Sequence, residues 1–100
     1  MLVHSVYFWL KPGTKPEARR RFRAALGRLA AIRTVGEIHI GPPAKLEERD
    51  VTERSFDFAL TIIFKDAAAH DAYQVDPIHE AFVKANKPIW KRVDVFDSEV

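Results

Sequence analysis

The sequence contains no cysteine, so disulfide bonds, a thiolate nucleophile and a cysteine-ligated zinc site are all excluded. Charge of one sign is also scarce, because 16 Lys and Arg against 14 Asp and Glu leave a formal net charge of only +2. An excess this small does not indicate a nucleic-acid-binding protein. A glycine-rich phosphate loop, a serine triad and a dinucleotide fingerprint are missing as well.

Long hydrophobic runs are absent too. The apolar N-terminal stretch MLVHSVYFWL is far shorter than the roughly 20 residues that span a bilayer, and no basic region precedes it. We therefore expect no membrane association and a cytoplasmic protein. With 47% hydrophobic and 30% charged residues, the chain has the composition of one globular domain covering residues 1–100.

The basic residues are unevenly distributed. Residues 15–33 contain seven Lys or Arg and one acidic residue, Glu17, which gives this segment a local charge of +6. Such a face can meet phosphates or an acidic partner, or it can be a solvated arginine face whose aliphatic stems cover apolar surface. The second interpretation is favoured, because no base-stacking aromatic residues accompany these arginines. No nucleic-acid partner is expected.

Hydropathy patterns and helix-capping residues predict six elements in the order βαββαβ. They are a strand over 2–10, a helix after a candidate N-cap at Thr14, a strand over 37–41, a strand over about 56–64, a helical region that begins at Asp66 and breaks before Asp76, and a strand over 90–96. The charged segment 44–54 is predicted to be an exposed loop, and the last four residues a polar tail. This order predicts an α+β, ferredoxin-like fold: a four-stranded antiparallel sheet with the helices on one face.

The first strand is apolar on both of its sides. Alternate residues from His4 to Leu10 fall on one side, and Tyr7 and Trp9 fall on the other. If the helices cover the first side, then Tyr7, Trp9 and Ile63 of the third strand form an apolar patch on the open side. A contiguous patch of this kind usually marks an interface. We therefore expect a homodimer that packs sheet against sheet.

Taken together, these segments resemble the stress-responsive alpha/beta-barrel domain family, also called the Dabb or dimeric alpha-beta barrel family. The resemblance covers essentially the whole chain. It rests on HSVYFWLKPG, FDFALTIIF and AYQVDPIHEAFV, on Gly41 after the second strand, and on Trp90 followed by VFD. It implies a ferredoxin-like fold and a dimeric α/β barrel. Most bacterial members have no assigned reaction, whereas certain plant members are polyketide cyclases that catalyse an intramolecular aldol condensation without a cofactor.

The resemblance also implies two catalytic residues. The cyclases use a tyrosine and a histidine at the spacing of Tyr73 and His79 in this sequence. Two departures are visible. Asp76 stands where the family often has the first histidine of His-Pro-x-His, and Phe58 stands near a position where some cyclases carry a histidine. These departures bear on the activity and not on the fold.

The chemistry of this pair can also be considered from the residues themselves. Asp76 is a suitable N-cap and Pro77 suits the first helical position, which places His79 in the first turn. The helix dipole there favours a neutral imidazole, whereas the Asp76 carboxylate favours the imidazolium, so the net direction is open. A neutral imidazole can abstract a proton alpha to a carbonyl while the Tyr73 phenol stabilises the enolate oxygen. Alternatively, both residues are packing residues only.

A hydrophobic pocket is expected beside this pair. His4 lies on the helix-facing side of the first strand, either as a hydrogen-bonded core residue or as part of the pocket. The expected lining suits a small hydrophobic or aromatic ligand, and consists of His4, Val6, Phe8, Phe22, Leu26, Phe82 and Trp90. His39 and His70 are expected at the surface. No histidine pair has a spacing specific for a metal, so no metal or cofactor is expected.

Three functions are consistent with these features. The first is a homodimer that binds a small hydrophobic ligand and has no assigned reaction. The second is a cofactor-free enzyme like the polyketide cyclases, with His79 as the base and Tyr73 as the oxyanion donor. The third is a cofactor-free monooxygenase of a related dimeric barrel family, which no motif in the sequence favours.

Overall fold

Four β-strands and three α-helices make up the computed structural model, which describes residues 1–100. In chain order they are β1 (Leu2–Leu10), α1 (Pro16–Arg28), β2 (Ile38–Gly41), β3 (Phe58–Phe64), α2 (Ala67–Gln74), α3 (Pro77–Asn86) and β4 (Trp90–Glu99). Short 3₁₀ turns, Leu29–Ala31 and Lys87–Ile89, follow α1 and α3. The predicted order is confirmed, with the second helical region divided into α2 and α3.

The strands form one antiparallel sheet in the order β2-β3-β1-β4. This is the predicted ferredoxin-like α+β fold. The two central strands are β1 and β3, and in both of them alternate residues are buried on the helix-facing side. None of the helices has the length and hydropathy that crossing a membrane would require.

Aspartates begin two of the helices, as predicted. The Ala69 backbone N–H donates to Asp66 Oδ1 over 2.8 Å at the start of α2. The Ile78 backbone N–H donates to Asp76 Oδ1 over 2.8 Å at the start of α3, with Pro77 in the first turn. The break between α2 and α3 is therefore set by local capping chemistry, because each aspartate satisfies a backbone donor that the helix leaves free.

The predicted cap of α1 is wrong. Lys15 occupies the N-cap position, and no side chain caps this helix. The Thr14 hydroxyl instead donates to the Lys11 carbonyl oxygen over 2.6 Å, so it closes the preceding turn. Pro16 begins the helix and Glu17 lies in its first turn, in keeping with the preferences of that end.

The start of β3 also differs from the prediction. The strand begins at Phe58, and Phe56 belongs to the preceding loop. Between them, the Asp57 carboxylate accepts hydrogen bonds from the Leu10 backbone N–H over 2.7 Å and from the Arg19 guanidinium over 2.8 Å. Phe56 lies instead on the open face of the sheet, with its ring 5.0 Å from that of Tyr7.

One glycine is required by a close backbone approach. The Gly36 N–H donates to the Ile63 carbonyl oxygen over 3.1 Å, which holds the connection before β2 against β3. A Cβ at position 36 would lie only 2.5 Å from that same oxygen. Any other residue would therefore force the two backbones apart.

The hydrophobic core lies between the sheet and the helices, and its 15 buried apolar residues come mainly from α1 and from the helix-facing sides of β1 and β3. The edge strand β4 is covered less completely. Its residues Val93 and Val95 are directly opposite Phe8 and Val6 in the register, and so face the helices, yet both are exposed. The helical layer thus stops short of β4 and leaves an opening there.

The last strand continues beyond the predicted end. The segment expected to be a polar tail pairs with the start of β1 up to Glu99. This pairing places Asp97 directly opposite His4. A carboxylate from the end of the chain therefore lies beside a histidine from its beginning.

Candidate functional site

A cavity of about 250 Å³ lies between β1, β4, α2 and α3, at the opening that the helical layer leaves over β4. Most of the residues expected to line a pocket do line it: His4, Val6, Phe8, Tyr73, His79, Phe82 and Trp90. Their contribution to binding or catalysis remains a prediction.

Phe22 and Leu26 do not line the cavity, which corrects that part of the predicted lining. Both side chains are fully enclosed in the core. They belong to α1, and the walls of the cavity come from the sheet and from α2 and α3. Phe22 supports the cavity from behind, because its ring is 5.1 Å from that of Phe8 and stacks at 6.0 Å on that of Phe82.

Several residues that were not predicted complete the wall. They are Leu60, His70, Gln74, Val83, Val93, Val95 and Asp97. Except for His70 and Gln74 on α2 and Val83 on α3, all of them come from strands β3 and β4. The position of the strand residues in the site depends on strand pairing, which the sequence alone does not specify.

The placement of His70 corrects the expectation that it is a surface residue. Its side chain is only 18% exposed, and its ring is 5.0 Å from that of His4. It also contacts Phe64 edge-on at 5.6 Å. One signal was available in the sequence, because His70 precedes Tyr73 by three residues and two residues at that spacing share a helix face. His39 is exposed, as expected.

The break at Asp76 brings Tyr73 and His79 together. Tyr73 lies in the last turn of α2 and His79 in the first turn of α3, and their ring centroids are 4.6 Å apart. His79 Nδ1 is 3.2 Å from the Gln74 carbonyl oxygen, which can only accept a hydrogen bond. The proton therefore lies on Nδ1, and the lone pair of Nε2 is free to act as a base.

The electrostatic surroundings favour a neutral His79. Partial burial lowers the pKa of His79, and the nearby His4 lowers it further. The hydrogen bond to the Gln74 carbonyl and the charges of Glu80 and Asp76 oppose this change without reversing it. Burial is therefore the largest influence on the pKa of His79, and it acts against the Asp76 carboxylate.

The pKa of Tyr73 is shifted in the opposite direction to that of His79. Burial raises its pKa far above the ordinary value, so the phenol stays protonated and can donate a hydrogen bond. The residue is only 1% exposed. Thr34 Oγ1 and Trp90 Nε1 are the fully enclosed side-chain polar atoms that have no hydrogen-bond partner. The Tyr73 hydroxyl is not one of them. Because it forms no hydrogen bond within the chain, the hydroxyl retains contact with accessible space at the cavity.

His4 is both a core residue and a cavity residue. It is buried, and its Nδ1 is 2.5 Å from Asp97 Oδ1. Its ring lies edge-on to Tyr73 at a centroid distance of 5.9 Å. The polar groups of the cavity are therefore gathered at one end, and its remaining walls are apolar.

The largest cavity, about 590 Å³, lies on the opposite face of the sheet, away from His79. It is a groove between the open face and the loop that precedes β3. Tyr7, Trp9, Phe56 and Phe96 contribute its aromatic surface, and the Arg92 guanidinium lies 4.2 Å from the centre of the Trp9 ring. This is the face that the sequence predicts will meet a second subunit, so its size does not make it the ligand site.

The fold agrees with a comparison to protein families. Residues 2–100 match the model of the Stress responsive A/B Barrel Domain, or Dabb. The chain belongs to the Dabb family. No protein of curated function matches this Dabb sequence.

Solved structures share the Dabb fold over nearly the whole chain. A Dabb family protein from Mesorhizobium loti is 26% identical, with a TM-score of 0.81 over 99% of this chain and 95% of that chain. A dimeric ferredoxin-like protein of unknown function from Jannaschia sp. is 25% identical, with a TM-score of 0.77 over 99% and 98% of the two chains. A hydroxynitrile lyase from Passiflora edulis is 18% identical, with a TM-score of 0.81 over 99% and 92%. At that identity the likeness to the lyase shows the fold alone.

Proposed function

We propose that this Dabb protein is a homodimer in which each subunit binds a small hydrophobic or aromatic ligand in the cavity beside His79 and Tyr73. The observation that carries the proposal is the division of that cavity into apolar walls and a polar end. This combination is typical of small-molecule sites, in which apolar walls bind the ligand and a few polar groups orient it. The volume of about 250 Å³ is slightly below the usual range of roughly 300–1,000 Å³, so the ligand is small.

The dimer is supported by the open face of the sheet. Tyr7 contacts Phe56 and Phe96 at ring distances of 5.0 and 6.1 Å, and Phe96 is 63% exposed. Large aromatic side chains rarely remain exposed in a contiguous group unless the surface has a partner. A second copy packed sheet against sheet would cover them, and the similar structure from Jannaschia sp. is described as dimeric.

A second candidate function is acid–base catalysis on a carbonyl compound. The specific observation in its favour is that the pKa of His79 is lowered while that of Tyr73 is raised. The two groups therefore suit a neutral base and a protonated donor, the pairing that proton abstraction next to a carbonyl requires. The fold is also similar to that of the hydroxynitrile lyase from Passiflora edulis, which supports considering an enzymatic role for this site.

The chemical step can be written from these groups alone. His79 Nε2 takes a proton from the carbon next to a ligand carbonyl, the C–H electron pair moves to form the enolate, and Tyr73 donates a hydrogen bond to its oxygen. In a cyclisation, the enolate carbon then attacks a second carbonyl of the same molecule. The proton held by His79 returns to the resulting alkoxide, so His79 ends the cycle neutral.

Ligand binding can be tested by tryptophan fluorescence. Trp90 lines the cavity and Trp9 lies on the other face of the sheet, so a Trp9→Phe background leaves Trp90 as the only reporter. Small alkyl and aryl ketones and phenols would be titrated into this protein. We expect saturable quenching by some of them. Absence of saturable binding across the set would overturn the binding proposal.

A matched pair of variants locates the binding. Val95→Phe places a larger side chain at the opening of the cavity, where Val95 is already exposed. Val51→Phe makes the same change in an exposed loop residue that does not line this cavity. Affinity is expected to fall at least tenfold in the first variant and to stay unchanged in the second. An equal effect of both would contradict binding at this site.

Catalysis can be tested without knowing the product. Proton abstraction is detected by NMR as exchange of the ligand's alpha protons in D₂O. His79→Ala should reduce the exchange rate by about 10²–10⁴-fold, the usual contribution of a positioned base, and leave the dimer intact. His39→Ala serves as the control, since His39 is exposed on the other face. Equal exchange in the wild type and His79→Ala would exclude His79 as the base while leaving the binding proposal in place.

A further inference from the structure

Two histidines and an aspartate from three separate elements meet at the polar end of the cavity. His4 comes from β1, His70 from α2 and Asp97 from β4. One potential ligand atom from each residue lies within 4.8 Å of the corresponding atoms of the other two. Two imidazoles and one carboxylate form a recurring ligand set for divalent transition metals.

We propose that His4, His70 and Asp97 bind a divalent transition-metal ion of the zinc type. A four-coordinate zinc ion has bonds of about 2.0–2.2 Å, which places its ligand atoms about 3.3 Å apart. The three ligand atoms lie within 4.8 Å of one another. His4 Nδ1 and Asp97 Oδ1 are hydrogen-bonded at 2.5 Å, so they must separate by about 0.8 Å to reach that spacing. The Asp97 side chain is 41% exposed and lies near the end of the last strand, so it can move to accommodate the ion.

The contact between His4 and Asp97 is compatible with metal binding. The ion would replace the hydrogen bond between His4 Nδ1 and the Asp97 carboxylate, with both groups as ligands. The charge of the Asp97 carboxylate then offsets that of the ion directly. The buried position of His4 therefore does not leave the added charge without a partner.

His70 has the outer partner that a metal-binding histidine usually requires. Its Nδ1 is 3.1 Å from Asp71 Oδ1, so Nδ1 carries the proton and donates a hydrogen bond to that carboxylate. Its Nε2 is 3.3 Å from the Gln74 side-chain nitrogen, so the Nε2 lone pair accepts a hydrogen bond from that amide and is the atom available to an ion. Carboxylates that orient a ligating imidazole in this way are a common outer contact in metal sites. The Gln74 amide turns away when the ion binds.

The ion would keep an open coordination position that faces the cavity. Structural zinc sites usually have four protein ligands, whereas three protein ligands and one open position are typical of catalytic sites. All three ligand residues line the cavity together with Tyr73 and His79. An oxygen of a ligand in the cavity can therefore take the remaining position. Metal binding itself does not depend on the function proposed above, because it requires only these three side chains.

The test is direct measurement of metal binding by the whole chain without an affinity tag. After treatment with EDTA and removal of the chelator, ZnCl₂ is titrated by calorimetry, and the bound metal is counted by elemental analysis. We expect one zinc ion per subunit. Co²⁺ in place of Zn²⁺ should give the visible absorption of a low-coordinate site, and Zn²⁺ should raise the thermal unfolding midpoint because it binds the folded state.

Two variants and a matched control distinguish this site from adventitious surface binding. His70→Gln and Asp97→Asn each remove a ligand. Mutating a residue that only orients a ligand usually lowers metal affinity by roughly 10–100-fold, and we expect each of these variants to lower Zn²⁺ affinity by more than that. His39→Gln removes an exposed histidine that lies 3.1 Å from Glu37, and should leave the affinity unchanged. If His70→Gln fails to fold, the exposed Asp97 still provides the test. Failure of the wild type to retain zinc, or equal affinity in the wild type and Asp97→Asn, would overturn the proposal.

Discussion

Replacing Tyr73 with phenylalanine separates a functional hydroxyl from a structural one. The ring of Tyr73 packs against Phe64 at 5.1 Å, His79 at 4.6 Å and His4 at 5.9 Å, and Tyr73→Phe preserves these contacts. The change removes only the hydroxyl, which forms no hydrogen bond within the chain. The variant is therefore expected to fold normally and to lose the hydrogen bond that the site offers to a ligand.

The expected change in the free energy of unfolding follows from the absence of a hydrogen bond between that hydroxyl and the rest of the chain. Removing one partner of an intramolecular hydrogen bond usually costs about 0.5–1.5 kcal/mol, and no such bond is broken here. The free energy of unfolding of Tyr73→Phe should thus stay within about 0.5 kcal/mol of the wild type, or rise slightly because a polar group no longer needs to be buried. By contrast, Tyr73→Ala removes the ring from the core and should cost about 3–5 kcal/mol, as large aromatic truncations do.

The assay is urea unfolding followed by circular dichroism. Each protein is measured at the same protomer concentration, since the stability of a dimer depends on concentration. In parallel, alpha-proton exchange of a bound ketone should fall by about 10²–10³-fold in Tyr73→Phe, the usual effect of losing one oxyanion donor. A loss of more than about 1 kcal/mol in Tyr73→Phe would refute the reasoning, because the hydroxyl would then have a structural partner.

Two further predictions concern pH and assembly. Burial lowers the pKa of folded His79 below its ordinary 6.5, and His4 lowers it further against the opposing Gln74 hydrogen bond and the charges of Glu80 and Asp76. The unfolded chain therefore binds more protons, so stability should fall as pH drops below about 6.5. Urea midpoints at pH 7 and 5.5 should differ less in His79→Gln, and an unchanged difference would contradict this. Phe96→Asp should convert the dimer to a folded monomer in light scattering, whereas Val51→Asp should not. A persistent dimer would exclude this face as the interface.

Much of the fold was predictable because its signals are local. The capping aspartates Asp66 and Asp76 act on backbone groups two or three residues away, so their position in the sequence is enough to locate the helix starts. The alternating burial of β1 likewise depends only on the geometry of a strand. Thr14 shows the limit of such signals. Its hydroxyl donates a hydrogen bond to the Lys11 carbonyl oxygen of the preceding turn and therefore does not cap α1.

The site was predictable only where it follows from these local signals. Tyr73 and His79 are six residues apart across a break that Asp76 specifies, so their approach could be anticipated. The exclusion of Phe22 and Leu26 from the cavity could not, because it depends on which part of the sheet α1 covers. The same holds for Val93 and Val95, whose exposure depends on where the helical layer ends over β4.

By itself, the sequence determined the order of elements, the apolar character of both sides of β1 and the Tyr73–His79 pair, since each depends on residues close together in the chain. The tertiary structure alone decided which groups join that pair. His4 and Asp97 are 93 residues apart in the sequence and meet only through the register of β1 with β4. His70 joins them because α2 packs over that end of the sheet. Burial also lowers the pKa of His79, and this effect depends on the folded surroundings and not on the two opposing local charge effects visible in the sequence.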